Sequence, residues 1–174
     1  MKNLLYFLTI LLGLIFLIGC NPMMNKKQAS KEVVCPNIFF SSEHKNFIYS
    51  DKDNISLDNL SFNATLNNYK FDKGCKKNTD ILIFPLDILV IVNPILLTQQ
   101  DIELPVYALL LDRNDKLIET QYFTIEASVD KDSDNNKFIE TDIVHKLNIV
   151  TKNELVENLI IGFMLEKKKI EILN

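Results

Sequence analysis

From Cys35 onward, apolar and polar residues alternate with a period of two, the repeat of a strand with one buried and one solvated face. Leu60, Phe62, Ala64 and Leu66 interleave with Ser61, Asn63, Thr65 and Asn67. Asn67-Asn68 then reads as a hairpin turn, because asparagine tolerates left-handed backbone, and Tyr69 and Phe71 resume the pattern up to Gly74-Cys75. Ile81 to Val92 is β-branched and apolar on both faces, as a central strand is. Glu103 to Leu111 predicts a further strand, with Pro105 near its start, where a missing amide is tolerable. Asp112 to Asp115 supplies a polar turn, after which Phe123, Ile125, Ala127 and Val129 alternate with Thr124, Glu126 and Ser128. Beyond a polar loop at 130–137, Ile139, Ile143, Leu147 and Ile149 face inward, and Leu159, Ile161, Phe163 and Leu165 form the last core stripe. Thr151 and Glu154 have capping-box spacing and predict a brief helical turn over Thr151 to Asn158. About eight strands without a long amphipathic helix predict an all-β domain over residues 35–174. An antiparallel β-sandwich, immunoglobulin-like though lacking a core Trp, is the expected architecture.

Residues 1–19 break the period. Lys2 is followed by an almost unbroken apolar run from Leu4 to Ile18, too short for a comfortable membrane span of about 20 residues. The segment predicts a helical signal peptide over 1–19, an uncleaved signal anchor being the alternative. Leu17-Ile18-Gly19-Cys20 resembles the lipobox of bacterial lipoproteins. The resemblance implies a diacylglyceryl group on the Cys20 thiol, cleavage before it, and acylation of the new amine, palmitate being the expected chain. At about 0.8 kcal/mol per buried methylene, two or three such chains hold a protein on a membrane without a spanning helix. Asn21 stands where an aspartate would imply inner-membrane retention, so the resemblance implies the outer membrane facing the periplasm. Residues 20–34 are polar after the cysteine and predict a flexible tether that separates its ends by roughly 20 Å.

Composition narrows the partners. Without Lys2, 18 of the 19 Lys+Arg face 23 Asp+Glu, a net charge of −5 that repels phosphate backbones. Arg113 is the only arginine, so bidentate readout of phosphate or base edges has almost nothing to use. Nucleic acid is excluded as an expected partner. With Cys20 set aside for lipid, Cys35 and Cys75 are left in an oxidising compartment and predict one disulfide, two free buried thiols being the alternative. Closing that loop stabilises the fold by on the order of 4 kcal/mol in the chain-entropy model.

Candidate chemistry is sparse. His145 falls on the inward stripe with Ile143 and Leu147, and His44 lies in the polar stretch Ser41 to Asn46, where solvation is the plain reading. No nucleophile elbow, phosphate-cradling glycine loop or metalloprotease pair is present, and a Cys–His nucleophile would need a reduced thiol outside the cytosol. Asp130-Lys131-Asp132-Ser133-Asp134 opens like a calcium loop, but Asn135 replaces the turn glycine and Thr141 the bidentate glutamate. A solvated acidic hairpin tip is the expectation. No metal, cofactor or catalytic residue is therefore assigned.

Beyond the lipobox, Cys35-Pro36, Gly74-Cys75 and Ile161-Gly162-Phe163 resemble markers of small envelope lipoproteins of alphaproteobacteria, over most of Cys35 to Leu165. That family supplies no catalytic residues to carry over. The sequence thus predicts a non-catalytic protein, anchored to the membrane through Cys20, with a structural or protein-binding role and an envelope protein as partner. The alternative is a periplasmic module for a small ligand or glycan.

Overall fold

The computed structural model describes residues 30–52 and 54–166. The expected signal helix and the lipobox residues Leu17, Ile18, Gly19 and Cys20 lie outside the described residues.

Ten strands form: β1 (Lys31–Val33), β2 (Asn37–Phe40), β3 (Asn46–Tyr49), β4 (Phe62–Phe71), β5 (Cys75–Asn78), β6 (Ile81–Pro94), β7 (Asp101–Leu111), β8 (Leu117–Ser128), β9 (Thr141–Thr151) and β10 (Asn158–Phe163). They make two sheets packed face to face, the β-sandwich that the alternation predicts. In sheet A, β6 is central: β9 flanks it along Leu82–Val92, and its other side is covered by β4 and then β5. β3 pairs with β4, and β1 with β5, on the outer side of that broken column. Sheet B runs β2-β10-β7-β8, with β2 and β10 parallel and the other pairs antiparallel. The ten segments therefore occupy eight strand positions.

The break between β4 and β5 accommodates Pro85 in the central strand β6. A proline in a central strand leaves a ladder position without a donor. Here the Pro85 carbonyl accepts from the Asp72 amide, so the missing N–H faces the short excursion between β4 and β5, where no ladder bond is called for. Lys73 (φ 62°) and Gly74 (φ 71°) make that excursion in left-handed backbone. Pro105 lies similarly in mid-β7, one position beyond the point where β10 stops pairing.

Side chains at every second position fill the space between the sheets. Phe84, Leu86, Ile88, Val90 and Val92 of β6 are buried against Leu104, Val106, Ala108 and Leu110 of β7 and Leu159, Ile161 and Phe163 of β10. The edge between β8 and β9 is closed by polar side chains. Glu119, opposite buried Leu110, accepts from Thr151 Oγ1 at 2.9 Å, while Gln121 Nε2 donates to the Val150 carbonyl at 2.8 Å. Inward carboxylates of this kind keep a long outer strand from recruiting another chain.

Three local expectations change. Asn67-Asn68 is not a hairpin turn: β4 continues through it with a bulge between Leu66 and Asn68. β6 is 14 residues long and offers a partner throughout, so the chain absorbs one extra residue instead of reversing. Lys31–Val33, read as the end of the tether, pairs with β5 next to the disulfide. Thr151 to Asn158 forms a turn, not a helical one, in which Thr151 Oγ1 accepts from the Asn153 amide.

Candidate functional site

Cys35 and Cys75 are joined in a disulfide, their Cα atoms 5.2 Å apart. It fastens the entry to β2 onto the start of β5, immediately beside the β1–β5 pair, and so defines the pole at which the described chain enters the sandwich.

The histidines differ in setting. His145 is half-buried on β9, opposite Ile88. His44 is more engaged than a solvated residue: Nδ1 lies 2.8 Å from the Tyr107 hydroxyl, and the two rings meet edge to face at 5.7 Å. Its carbonyl accepts from the Phe163 amide at 2.7 Å. His44 thereby clasps β7 and β10 at the point where the chain crosses from β2 to β3. Tyr107 reaches it by lying over Gly162, its register partner on β10. A Cβ on Gly162 would sit 2.5 Å from the Tyr107 hydroxyl and 2.6 Å from Cζ.

The loop at 130–137 is a hairpin tip that spends its polar groups on itself. Asp132 accepts from the Asp134 amide and from Asn135 Nδ2, its amide donates to the Lys137 carbonyl, and Asn136 takes φ 55°. Lys131 lies 4.5 Å above the Phe138 ring centroid. Among the described residues, no group of three or more His, Cys, Asp or Glu side chains could hold a metal ion. No helix among them is long and apolar enough to cross a membrane.

The two outward faces contrast. On sheet A, Lys70, Asp87 and Lys146 lie side by side across three strands, and Asp72 pairs with Lys146. The hydrogen bond from Lys146 holds the Asp72 carboxyl below the ordinary carboxylate range, and Asp72 in turn raises Lys146. On sheet B, register places Phe39, Ile160 and Leu109 in one row across β2, β10 and β7, with Tyr107 and Tyr122 in the next. Tyr122 is 65% exposed and Phe39 54%. A solvated sheet face is ordinarily polar, and these rows of sheet B carry no charge, whereas the exposed Val144 (66%) and Val150 (43%) of sheet A share their face with Asp87 and Lys146.

A cavity of about 850 Å³ opens at the pole away from the disulfide. Phe47, Tyr49 and Phe62 line it from sheet A, and Asp101, Glu103 and Glu126 from sheet B. Tyr49 stacks on Phe62 with ring centroids 5.3 Å apart, and burial followed by the Asp51 carboxylate pushes its phenol above the ordinary range. Neither the apolar face nor this cavity was assigned from the sequence. Their residues are far apart along the chain, and only the strand register brings them together. Comparison with protein-family models, curated proteins and solved structures finds no match to this chain.

Proposed function

We propose that this protein is a lipid-anchored lipoprotein of the cell envelope whose β-sandwich binds a protein partner without catalysing a reaction. The anchor is the acylated Cys20 implied by the Leu17-Ile18-Gly19-Cys20 lipobox, with the outer membrane as the site and the periplasm as the compartment faced. The observation that carries the partner reading is the outward face of sheet B. Phe39, Ile160, Leu109, Tyr107 and Tyr122 form a continuous uncharged surface of the kind that the centres of protein interfaces favour. Tyrosines there suit an interface, since each supplies apolar area and a polar tip at a low cost in conformational entropy. The partner that fits is an envelope protein presenting an apolar, uncharged surface.

A photoreactive phenylalanine analogue at Tyr122, with Asn148 on the outward face of sheet A as control, tests this in native membranes. A discrete crosslinked product from position 122 and none from 148 is expected. No product from 122, or the same product from both, contradicts it. The alternative role, a ligand-binding module, is favoured by a separate observation, the cavity between Phe62 and Glu126.

A further inference from the structure

We infer that the entry pole of the sandwich, beside the disulfide, is a membrane-contact surface that seats Val34 and Leu155 among the headgroups of an anionic bilayer. The inference rests on the anchor at Cys20 to bring this pole to the bilayer. Strand ends gather there: β1 pairs with β5, and Leu82 near the start of β6 faces Thr151 at the end of β9. The Asn37 amide donates to the Glu157 carbonyl, and the Glu157 amide to the Leu111 carbonyl. Val34, just past β1, is 94% exposed, and Leu155, in the β9–β10 turn, is 67% exposed. The two are neighbours in space. Val34 shares a hollow with Lys31, Lys77 and Glu154, Lys77 Nζ donates to Glu154 Oε1 at 2.6 Å, and Leu155 is the next residue. Apolar side chains beside lysines are what an interfacial surface presents to lipid.

Apolar exposure alone does not choose a pole, since Leu57 and Leu96 are exposed at the far one. Charge does. At the far end of β6, Ser61 donates to Asp51, Val92 faces Thr141, and Thr141 Oγ1 accepts from the Asp130 amide. The segments that meet there, 50–52, 54–60, 98–103 and 126–142, carry ten carboxylates against three lysines. The segments of the entry pole, 31–37, 75–82, 111–117 and 150–158, carry six carboxylates against six cations. An anionic surface therefore repels one end of the sandwich and not the other, and the asymmetry orients the molecule. Within the entry pole, Glu154 is paired with Lys77 and Glu157 with Arg113. Lys31 and Lys152 are exposed and stand outside the ion pairs of the described residues, where lipid phosphates can meet them. The ten residues from Asn21 to Ser30 span at most about 35 Å, so acyl chains on Cys20 hold the pole within that distance of the surface.

The chain contains no tryptophan, so a single introduced indole reports alone. The test uses the protein isolated from its native membrane and reconstituted on vesicles of phosphatidylethanolamine and phosphatidylglycerol with brominated acyl chains, which quench a nearby indole. Leu155→Trp is the reporter, and Leu57→Trp, equally exposed at the far pole, is the control. Flotation with the vesicles reads the anchor, and quenching reads the contact. Leu155→Trp is expected to be quenched and blue-shifted, and Leu57→Trp to be neither. Adding Lys31→Glu/Lys152→Glu to Leu155→Trp should cut the quenching by about half, because two attractions to anionic lipid become repulsions. That variant should still float and keep its Tm, since both lysines are exposed. Protein that does not float overturns the anchor reading and the inference together. Floating protein in which position 155 is quenched no more than position 57, or in which charge reversal leaves quenching undiminished, overturns the inference alone.

Discussion

Tyr107 spans three elements with one side chain: its ring covers Gly162 of β10 and its hydroxyl meets His44 in the β2–β3 crossing. The arrangement requires the absence of a side chain at 162. In Gly162→Ala the new methyl overlaps the ring, so Tyr107 must swing outward and release His44. Overpacking of this kind costs about 1–3 kcal/mol, and chemical denaturation of the variant should show a loss of that size. In a Tyr107→Ala background the same substitution should cost far less, since the clash has gone. Equal costs in both backgrounds would mean that the ring does not determine the glycine.

At the scale of elements, β6 organises sheet A, and its outward charges illustrate how register sets electrostatics. Asp72, between β4 and β5, meets Lys146 on β9 across the Asp87 position of β6. The folded-state pKa of Asp72 is lowered, so its contribution to stability is present above the unfolded value and is lost as the pH falls through the folded one. Lys146 is raised, so its share is present below its unfolded value and is lost as the pH rises through the folded one. Asp72→Asn should therefore lower Tm slightly at neutral pH and leave it unchanged once the carboxyl is protonated in acid. High salt should shrink the neutral-pH difference, because the pair is exposed. A Tm difference that persists in acid would assign the effect to packing instead.

The same strands show what the sequence displays and what it conceals. β6 announces itself as a run apolar on both faces, and β9 because its inward positions repeat every second residue over eleven positions. The Cys35–Cys75 bridge follows from cysteine arithmetic and was expected. β1 and β5, with sequences KEV and CKKN, carry too little alternation to be seen. Asn67-Asn68 suits either a hairpin or a bulge, and only the length of the neighbouring strand decides between them. The His44–Tyr107 contact joins residues 63 positions apart, and the cavity combines β3 and β4 with β7 and β8, so no local spacing marks either.

The whole molecule has a direction. The described chain enters beside β5, at the disulfide pole, and the cavity opens near Phe62, opposite Pro94 at the far end of β6. At about 3.3 Å per residue, the length of β6 separates these ends by roughly 40 Å. If Cys20 carries acyl chains as proposed, the disulfide pole is the end nearer the membrane and the cavity opens at the far end. The partner face of sheet B runs along the side between them. This layout depends on the anchor more than on any other feature. Intact-mass measurement of the protein extracted from its native membrane tests it most directly. A chain that begins at Cys20 and carries the mass of two or three acyl groups is the predicted result. A chain that begins at Met1 with an unmodified Cys20 would contradict the account.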